Sequence, residues 1–176
     1  ENITLLGVSA KYLDTLRKTK KNFKKVYKLS KLKTICSTGS PLSQDSFEYV
    51  YNNIKKNIHL ASISGGTDIV SCFVLGNLYQ SVYSGEIQGK GLGMDVHIFN
   101  EKGKSILNQK GELVCIKPFP SMPKKFWNDH KDIKYKEAYF NKYRNIWHHG
   151  DYAKITKKNG FVISGRSDTT LNPGGV

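Results

Sequence analysis

The chain has 176 residues, of which 38% are hydrophobic and 24% charged, a balance that suits one globular domain or a piece of a larger one. Lysine and arginine number 28 against 14 acidic residues, which gives a formal net charge of +14. No apolar run approaches the roughly 18 residues that a membrane span requires. The first residues also lack the basic start and apolar block of a signal peptide. We therefore expect neither a membrane span nor a signal peptide.

The cysteines point to a reducing compartment. Cys36, Cys72 and Cys115 are odd in number, far apart, and outside the spacings typical of metal ligands. Disulfides are rare in the cytosol, where thiols stay reduced. The sequence therefore predicts reduced thiols and a cytoplasmic location.

The positive charge comes almost entirely from lysine, which is densest in residues 11–33. Proteins that read nucleic acids rely on arginine for bidentate contacts, and only three arginines are present. We interpret the lysines as a solvated surface, with a lysine-rich nucleic-acid-binding module as the alternative of another class. A basic protein also attracts small polyanions such as nucleotides.

The first half of the chain alternates helix and strand. Ser9 is predicted to cap a helix, and residues 31–37 form a short β-branched strand. Ser43 is predicted to cap a second helix with apolar residues at helical spacing, and residues 59–64 form the next strand. Strand, helix and strand with short links imply a parallel pair in an α/β layer.

The second half is patterned as antiparallel strands. Residues 94–106 alternate around a Glu-Lys-Gly-Lys turn, as a hairpin does. Residues 111–116 form another strand, and residues 151–166 repeat the pattern around a Lys-Asn-Gly turn. The predicted fold class is α/β: a parallel α/β layer over about 1–78, followed by a β-rich, barrel-like subdomain over about 79–165.

Two loops follow predicted parallel strands, the position at which α/β proteins bind ligands. They are "STGSPLS" (residues 37–43) and "SGGTDI" (residues 64–69). Glycine allows the backbone to approach a ligand closely. Thr67 supplies a hydroxyl, and Asp68 supplies carboxylate oxygens of the kind that magnesium binds. Either loop alone is more often a structural turn than a binding site.

Two further motifs lie in the β-rich half. Asp151 follows glycine in "WHHGDYAKI", and Arg166 follows glycine in "SGRSDTTLN". Taken singly, they are most simply a turn residue and a surface charge. His148 and His149 are adjacent, so on a strand their side chains point to opposite faces, which disfavours a shared metal.

Together the four motifs resemble the adenylate-forming superfamily, the AMP-forming acyl-CoA synthetases and their relatives. The resemblance runs from "GVSAKYL" to the end of the chain. It implies the second half of the large N-terminal domain of such an enzyme, with ATP, Mg²⁺ and coenzyme A as cofactor and co-substrates. A carboxylic acid would attack the α-phosphorus of ATP, and coenzyme A would then displace AMP from the acyl-adenylate.

The resemblance also implies roles for individual residues. Thr67 and Asp68 are the catalytic pair, with Thr67 at the α-phosphate and Asp68 as metal ligand. Asp151 would bind the ribose hydroxyls, and Arg166 the ribose and phosphate side. Asp168 falls at an interdomain hinge over residues 166–172. The remaining nucleotide-binding positions are Gly39, Ser40 and Pro41, which would line the adenine, and Gly66, which would leave room where Thr67 and Asp68 hold the phosphate and the metal.

The sequences of these motifs resemble one branch of the superfamily more than the superfamily as a whole. "SISGGTD", "PSMP" followed by "FWND", and "WHHGD" resemble the acetoacetate-activating branch, so acetoacetate is the expected acid. A synthetase for acetate or another short acid is the alternative. Acetate-activating relatives carry tryptophan where this chain has Gly65, so Gly65 is expected to open the acyl pocket. Gly65→Trp should then exclude acetoacetate and spare acetate.

Two departures and two missing parts accompany the resemblance. Asp68 is one methylene shorter than the superfamily's usual glutamate, and Thr169 replaces a second hinge aspartate; both fit the acetoacetate branch. The family's phosphate loop would precede Glu1, and its C-terminal lysine domain would follow Val176. The 176-residue piece is therefore expected to be inactive alone, with small molecules rather than nucleic acid or membrane as partners.

Overall fold

The computed structural model describes residues 2–168. The predictions for Thr169 and for the hinge region beyond Asp168 fall outside these residues. The described chain divides into two compact units. The first contains the residues up to Ser64 together with Leu75–Gly89, and the second contains Gly65–Val74 and the residues from Lys90 onward. The two units are thus interleaved along the sequence, and the sequential domain boundaries stay a prediction.

The first unit contains a three-stranded parallel sheet in the order β1-β2-β3. The strands are β1 (Leu5–Ser9), β2 (Thr34–Thr38) and β3 (His59–Ser62). Ile35, at the centre of β2, pairs with residues of both neighbouring strands and is fully buried. The predicted parallel α/β layer is confirmed.

The helices of the first unit are α1 (Ala10–Lys18), α2 (Phe23–Val26) and α3 (Gln44–Tyr49), and α3 continues as a π-helical turn over Val50–Ile54. Both predicted caps are present. The Ser9 hydroxyl accepts a hydrogen bond from the Tyr12 backbone N–H at 3.1 Å, and the Ser43 hydroxyl accepts one from Ser46 N–H at 3.3 Å. Each cap satisfies an N–H that lacks a partner in the first turn.

The second unit contains a four-stranded antiparallel sheet in the order β10-β9-β8-β7. A third sheet has the order β4-β5-β6. The bounds are β4 (Ser64–Gly66), β5 (Ser71–Leu75), β6 (Gly89–Lys90), β7 (Val96–Phe99), β8 (Gly111–Cys115), β9 (Trp147–Ile155) and β10 (Phe161–Arg166). Within residues 2–168 the antiparallel sheet is open, with β10 and β7 as its edges. The β-rich character is confirmed, but the barrel-like closure is not.

One helix of the second unit is not predicted from the sequence. Helix α4 (Ile133–Phe140) follows a 3₁₀ turn at His130–Asp132. The Asp129 carboxylate accepts hydrogen bonds from the backbone N–H groups of Lys134 and Tyr135, at 3.0 and 2.8 Å. Aromatic and charged residues are mixed around α4, so its sequence lacks the one-sided apolar stripe that reveals an amphipathic helix.

Strand β9 is irregular against both of its neighbours. Between the pairs Val114–His148 and Glu112–Tyr152, β9 contributes more residues than β8. A register shift against β10 lies between Ile163 and Gly165. Such bulges redirect side chains and often lie beside functional sites. Here the irregular stretch contains His149 and Asp151.

No helix within residues 2–168 combines the length and the apolar character that crossing a membrane would require.

Candidate functional site

The site begins where β4 turns into β5. A Cβ atom on Gly65 would lie 2.6 Å from the Cα of Cys72 and closer still to the carbonyl oxygen of Ser71. Real Cβ atoms do not approach backbone this closely, so the two strands can pair here only because residue 65 is glycine. A tryptophan at position 65 would disturb the strand pair itself, and Gly65→Trp therefore does not test the acyl pocket cleanly.

Because the neighbouring Gly66 has no side chain, two other side chains occupy the space where its Cβ atom would lie. A Cβ atom there would lie 2.7 Å from Cε1 of His149 and closer still to Oδ1 of Asp68. The Asp68 carboxylate therefore lies directly over bare backbone. Thr67 and Asp68 are both exposed on the turn that follows β4. This placement suits groups that meet a ligand from solvent.

Tyr139 of α4 reaches this turn. Its hydroxyl donates a hydrogen bond to Oδ2 of Asp68 at 2.6 Å. Its ring stacks on the indole of Trp147, with 3.7 Å between ring centroids and 14° between planes. Burial, followed by the hydrogen bond to Asp68, raises the pKa of the Tyr139 phenol. The phenol therefore stays protonated and remains a donor.

His149 lies beneath the same turn and is buried. The indole N–H of Trp147 donates to its Nδ1 at 3.4 Å, so the ring proton belongs on Nε2, which donates to the Gly65 carbonyl at 3.4 Å. Burial is the main cause that lowers the pKa of His149, although the nearby Asp151 carboxylate acts to raise it. The neutral ring therefore connects Trp147 to the backbone of the turn.

Asp151 and Arg166 form a partly buried pair. Asp151 is 7% exposed, and its Oδ1 lies 3.4 Å from Nη1 of Arg166. Burial raises the pKa of Asp151, while His149 and Arg166 act to lower it. Arg166 also donates through Nε to Oδ1 of Asp168 at 3.1 Å, and this bond is the main cause that raises the pKa of Arg166. A carboxylate fixed in this way can accept bonds from a pair of hydroxyl groups.

A second polar cluster surrounds Glu112 of β8, which is 4% exposed. Its carboxylate accepts hydrogen bonds from Nε2 of His148 at 2.8 Å and from the hydroxyl of Ser167 at 2.6 Å, and it also pairs with Lys142. Burial acts to raise the pKa of Glu112, but the bonds from Lys142, Ser167 and His148 outweigh burial and lower it. Because Ser167 lies between Arg166 and Asp168, this cluster holds the segment that carries them.

The two adjacent histidines thus serve different networks, as their alternation along a strand predicts. His148 contacts Glu112, whereas His149 contacts Trp147 and Gly65. Within residues 2–168 no three or more His, Cys, Asp or Glu side chains form a cluster suited to a metal ion.

The predicted residues are distributed over both units. Gly39, Ser40 and Pro41 follow β2 in the first unit, where they are exposed and Gly39 has a φ of +84°. The second unit brings the other candidates together around β4 and β9: Gly65, Gly66, Thr67, Asp68, Asp151, Arg166 and Asp168. The roles assigned to all of these residues stay predictions.

Sequence reasoning missed Tyr139 and Glu112 as members of these networks. Tyr139 lies 71 positions from its partner Asp68, and Glu112 lies 55 from Ser167. Neither residue belongs to a glycine-rich motif. The sequence signal at Glu112 is its place in the predicted strand 111–116, and a strand by itself does not indicate a polar cluster.

The comparison with a solved structure indicates the class of protein to which the fold corresponds. No protein-family model matches the chain. The structure superimposes on a solved structure of acetoacetyl-CoA synthetase from Streptomyces lividans with a TM-score of 0.88 and 38% identity, over 99% of this chain and 28% of that one. The chain therefore has the fold of one segment of an acyl-CoA synthetase.

The curated relatives narrow the class. The chain is 54% identical to the acetoacetyl-coenzyme A synthetase of Rhizobium meliloti (strain 1021) over 176 residues, and 51% identical to the acetoacetyl-CoA synthetase of Xenopus tropicalis over 175 residues. These matches cover 100% and 99% of the chain, but only 27% and 26% of the relatives. Along its whole length the chain is homologous to a segment that makes up about a quarter of the length of each of these acetoacetyl-CoA synthetases.

Proposed function

We propose that this chain is part of an enzyme that ligates acetoacetate to coenzyme A, with cleavage of ATP to AMP and pyrophosphate. The observation that carries the proposal is the 54% identity to an acetoacetyl-CoA synthetase across all 176 residues. The carboxylates around β4 and β9 supply the polar groups that a nucleotide requires. Because the chain spans only about a quarter of its relatives, the activity is proposed for the full-length protein.

The proposed chemistry solves the problem that a carboxylate is a poor electrophile, since its leaving group would be oxide. Attack of acetoacetate on the α-phosphorus of ATP gives an acyl-adenylate and pyrophosphate, and AMP is then a good leaving group. The thiol of coenzyme A displaces AMP to form the thioester. Negative charge on the phosphoryl oxygens must be met by fixed donors during the first step.

The residues of this chain bind and orient the nucleotide. We assign the Thr67 hydroxyl to the α-phosphate, the buried Asp151 to the ribose hydroxyls, and Arg166 to the ribose and phosphate side. Gly39, Ser40 and Pro41 are assigned to the adenine, and Gly66 to the space beside the phosphate. These contacts contribute by positioning the reactants rather than by making bonds.

Asp68 fits the requirements of a magnesium ligand. Mg²⁺ commonly uses one or two protein carboxylates together with substrate phosphates and water. Asp68 offers an exposed, hydrogen-bonded carboxylate, which fits this coordination preference of Mg²⁺. When bound, the ion would neutralise phosphate charge.

The names of the relatives favour acetoacetate over acetate as the acid. Gly65 remains the proposed opening of the acyl pocket, and acetate or another short acid is the second candidate. Asp168 is proposed to mark the hinge. The three cysteines, all described and none in a disulfide, support the predicted cytoplasmic location.

The decisive experiment incubates the full-length protein with ATP, Mg²⁺, coenzyme A and one acid at a time. We expect acetoacetyl-CoA, AMP and pyrophosphate in equal amounts, with higher kcat/KM for acetoacetate than for acetate or butyrate. Asp151→Asn should raise the KM for ATP, whereas Asp45→Asn, a change at an exposed residue of α3, should not. Release of ADP and phosphate, or faster turnover of acetate, would contradict the proposal.

A further inference from the structure

Asp68 needs an anchor to act as a fixed ligand. It lies exposed on a turn whose fourth residue, Val70, has a φ of +48°, and no strand constrains its side chain. An exposed side chain that becomes fixed on binding loses rotamer freedom, and this loss weakens the binding. A carboxylate that is already held in place avoids much of that cost.

Tyr139 supplies such an anchor. Its hydroxyl holds Oδ2 of Asp68 at 2.6 Å, while Oδ1 lies over Gly66. The phenol is itself fixed, because its ring is stacked on the buried Trp147 and makes edge contacts with Phe126 and Tyr135. A short hydrogen bond from an immobile ring defines the direction of the carboxylate.

The stacked pair of Tyr139 and Trp147 is also connected to the start of the turn, through His149. Trp147, on which Tyr139 stacks, donates to His149, and His149 donates to the Gly65 carbonyl. Both ends of the segment Gly65–Asp68 are therefore attached to one rigid group, formed by Tyr139, Trp147 and His149.

We propose that Tyr139 is a positioning residue that orients the Asp68 carboxylate for the magnesium–ATP complex. This inference rests on the proposed function. Tyr139 does not touch the reacting atoms. It holds one oxygen of Asp68, so the carboxylate presents its other oxygen, and it transmits the rigidity of α4 and β9 to an exposed turn.

The test measures the dissociation constant of ATP by calorimetry in the full-length protein, with and without Mg²⁺ and with no acid or coenzyme A present. Tyr139→Phe keeps the stacked ring and removes only the hydroxyl. We expect it to weaken binding of Mg·ATP about three- to tenfold, the effect of one lost hydrogen bond, and to leave metal-free ATP binding unchanged. The KM for acetoacetate should not change.

The matched control is Tyr143→Phe, which removes a hydroxyl bonded to the Asn100 carbonyl at 3.1 Å in the same unit. It should bind Mg·ATP as the wild type does. In an Asp68→Asn background, Tyr139→Phe should have little further effect, because the two residues act through one carboxylate. Circular dichroism and melting temperature establish that each variant is folded.

The possible failures are distinct. If wild type binds Mg·ATP and makes acetoacetyl-CoA but Tyr139→Phe binds Mg·ATP equally well, only the role of Tyr139 is wrong. Equal weakening in the Tyr143→Phe control, or full additivity with Asp68→Asn, would also reject it. If wild type binds no Mg·ATP, the proposed function fails and the role of Tyr139 fails with it.

Discussion

Two adjacent glycines shape the turn before Asp68 in different ways. Gly65 admits the backbone of β5, whereas Gly66 admits the side chains of Asp68 and His149. Backbone cannot move aside without breaking the strand pair, but a side chain can rotate. The sequence alone does not reveal this difference, and the structure shows that a side chain at position 65 would meet backbone whereas one at position 66 would meet two side chains.

The first prediction follows from the close strand contact. Gly65→Ala should destabilise the full-length protein by about 1–3 kcal/mol, the usual cost of forcing an extra carbon into packed structure. Gly7→Ala is the matched control, since a Cβ atom on Gly7 of β1 meets nothing within 4 Å. Thermal melting measures both. Equal melting temperatures for the two variants would show that β4 and β5 separate without cost.

The second prediction concerns Glu112. Glu112→Gln keeps the shape of the side chain but removes the charge that Lys142, His148 and Ser167 share, and it should cost about 1–3 kcal/mol at neutral pH. The folded protein lowers the pKa of Glu112 below its ordinary value of 4.5. The contribution is therefore complete above pH 4.5 and is lost as the pH falls through the folded-state pKa.

The measurement is urea unfolding at neutral pH and at several values below pH 4.5. The difference in unfolding free energy between wild type and Glu112→Gln should shrink as the pH falls. Glu101→Gln, at an exposed turn residue, serves as the control and should differ little from wild type throughout. A difference that stays constant with pH would contradict the role given to the charge.

The sequence predicted the elements whose signals are local. Ser9 and Ser43 cap their helices because a hydroxyl and a nearby N–H are all that a cap requires. The pairing of β9 and β10 follows from alternation around a Lys-Asn-Gly turn. Thr67 and Asp68 lie on a turn directly after a strand, as their place behind two glycines predicts, while their roles stay predictions.

The elements that were missed depend on distant partners. Helix α4 is stabilised by Asp129 and by the contact of its Tyr139 with Trp147, and neither produces a helical pattern in the sequence. The bulge in β9 lies opposite β8, and a second register shift, between β9 and β10, lies between Ile163 and Gly165. Register is a property of three strands together, so no single segment contains the information.

The third prediction tests the start of α4. Asp129→Ala removes the carboxylate that binds the Lys134 and Tyr135 N–H groups, so hydrogen exchange of these two amides should accelerate. Asp132→Asn is the control, because Asp132 makes no side-chain cap bond and asparagine tolerates its φ of +56°. Unchanged exchange in Asp129→Ala would show that α4 forms without this cap.

At the scale of the molecule, the charge of +14 does not by itself predict nucleic-acid binding. Lysine rather than arginine supplies nearly all of it, and the relatives are named for a reaction of small molecules. The fourth prediction is that the full-length protein does not bind arbitrary duplex DNA in a gel-shift assay at physiological salt. Tight binding with a steep salt dependence would instead favour the nucleic-acid alternative.

The stacking of Tyr139 on Trp147 gives the protein an optical property. The chain has two tryptophans: Trp147 is 1% exposed and Trp127 is 91% exposed. Fluorescence from Trp127 therefore comes from an indole in water, whereas that from Trp147 comes from a buried indole that stacks on a phenol and donates a hydrogen bond to an imidazole. Replacing Trp127 with phenylalanine would remove the emission of the solvent-exposed tryptophan of this segment. The remaining emission, from Trp147, would report on the turn that carries Asp68.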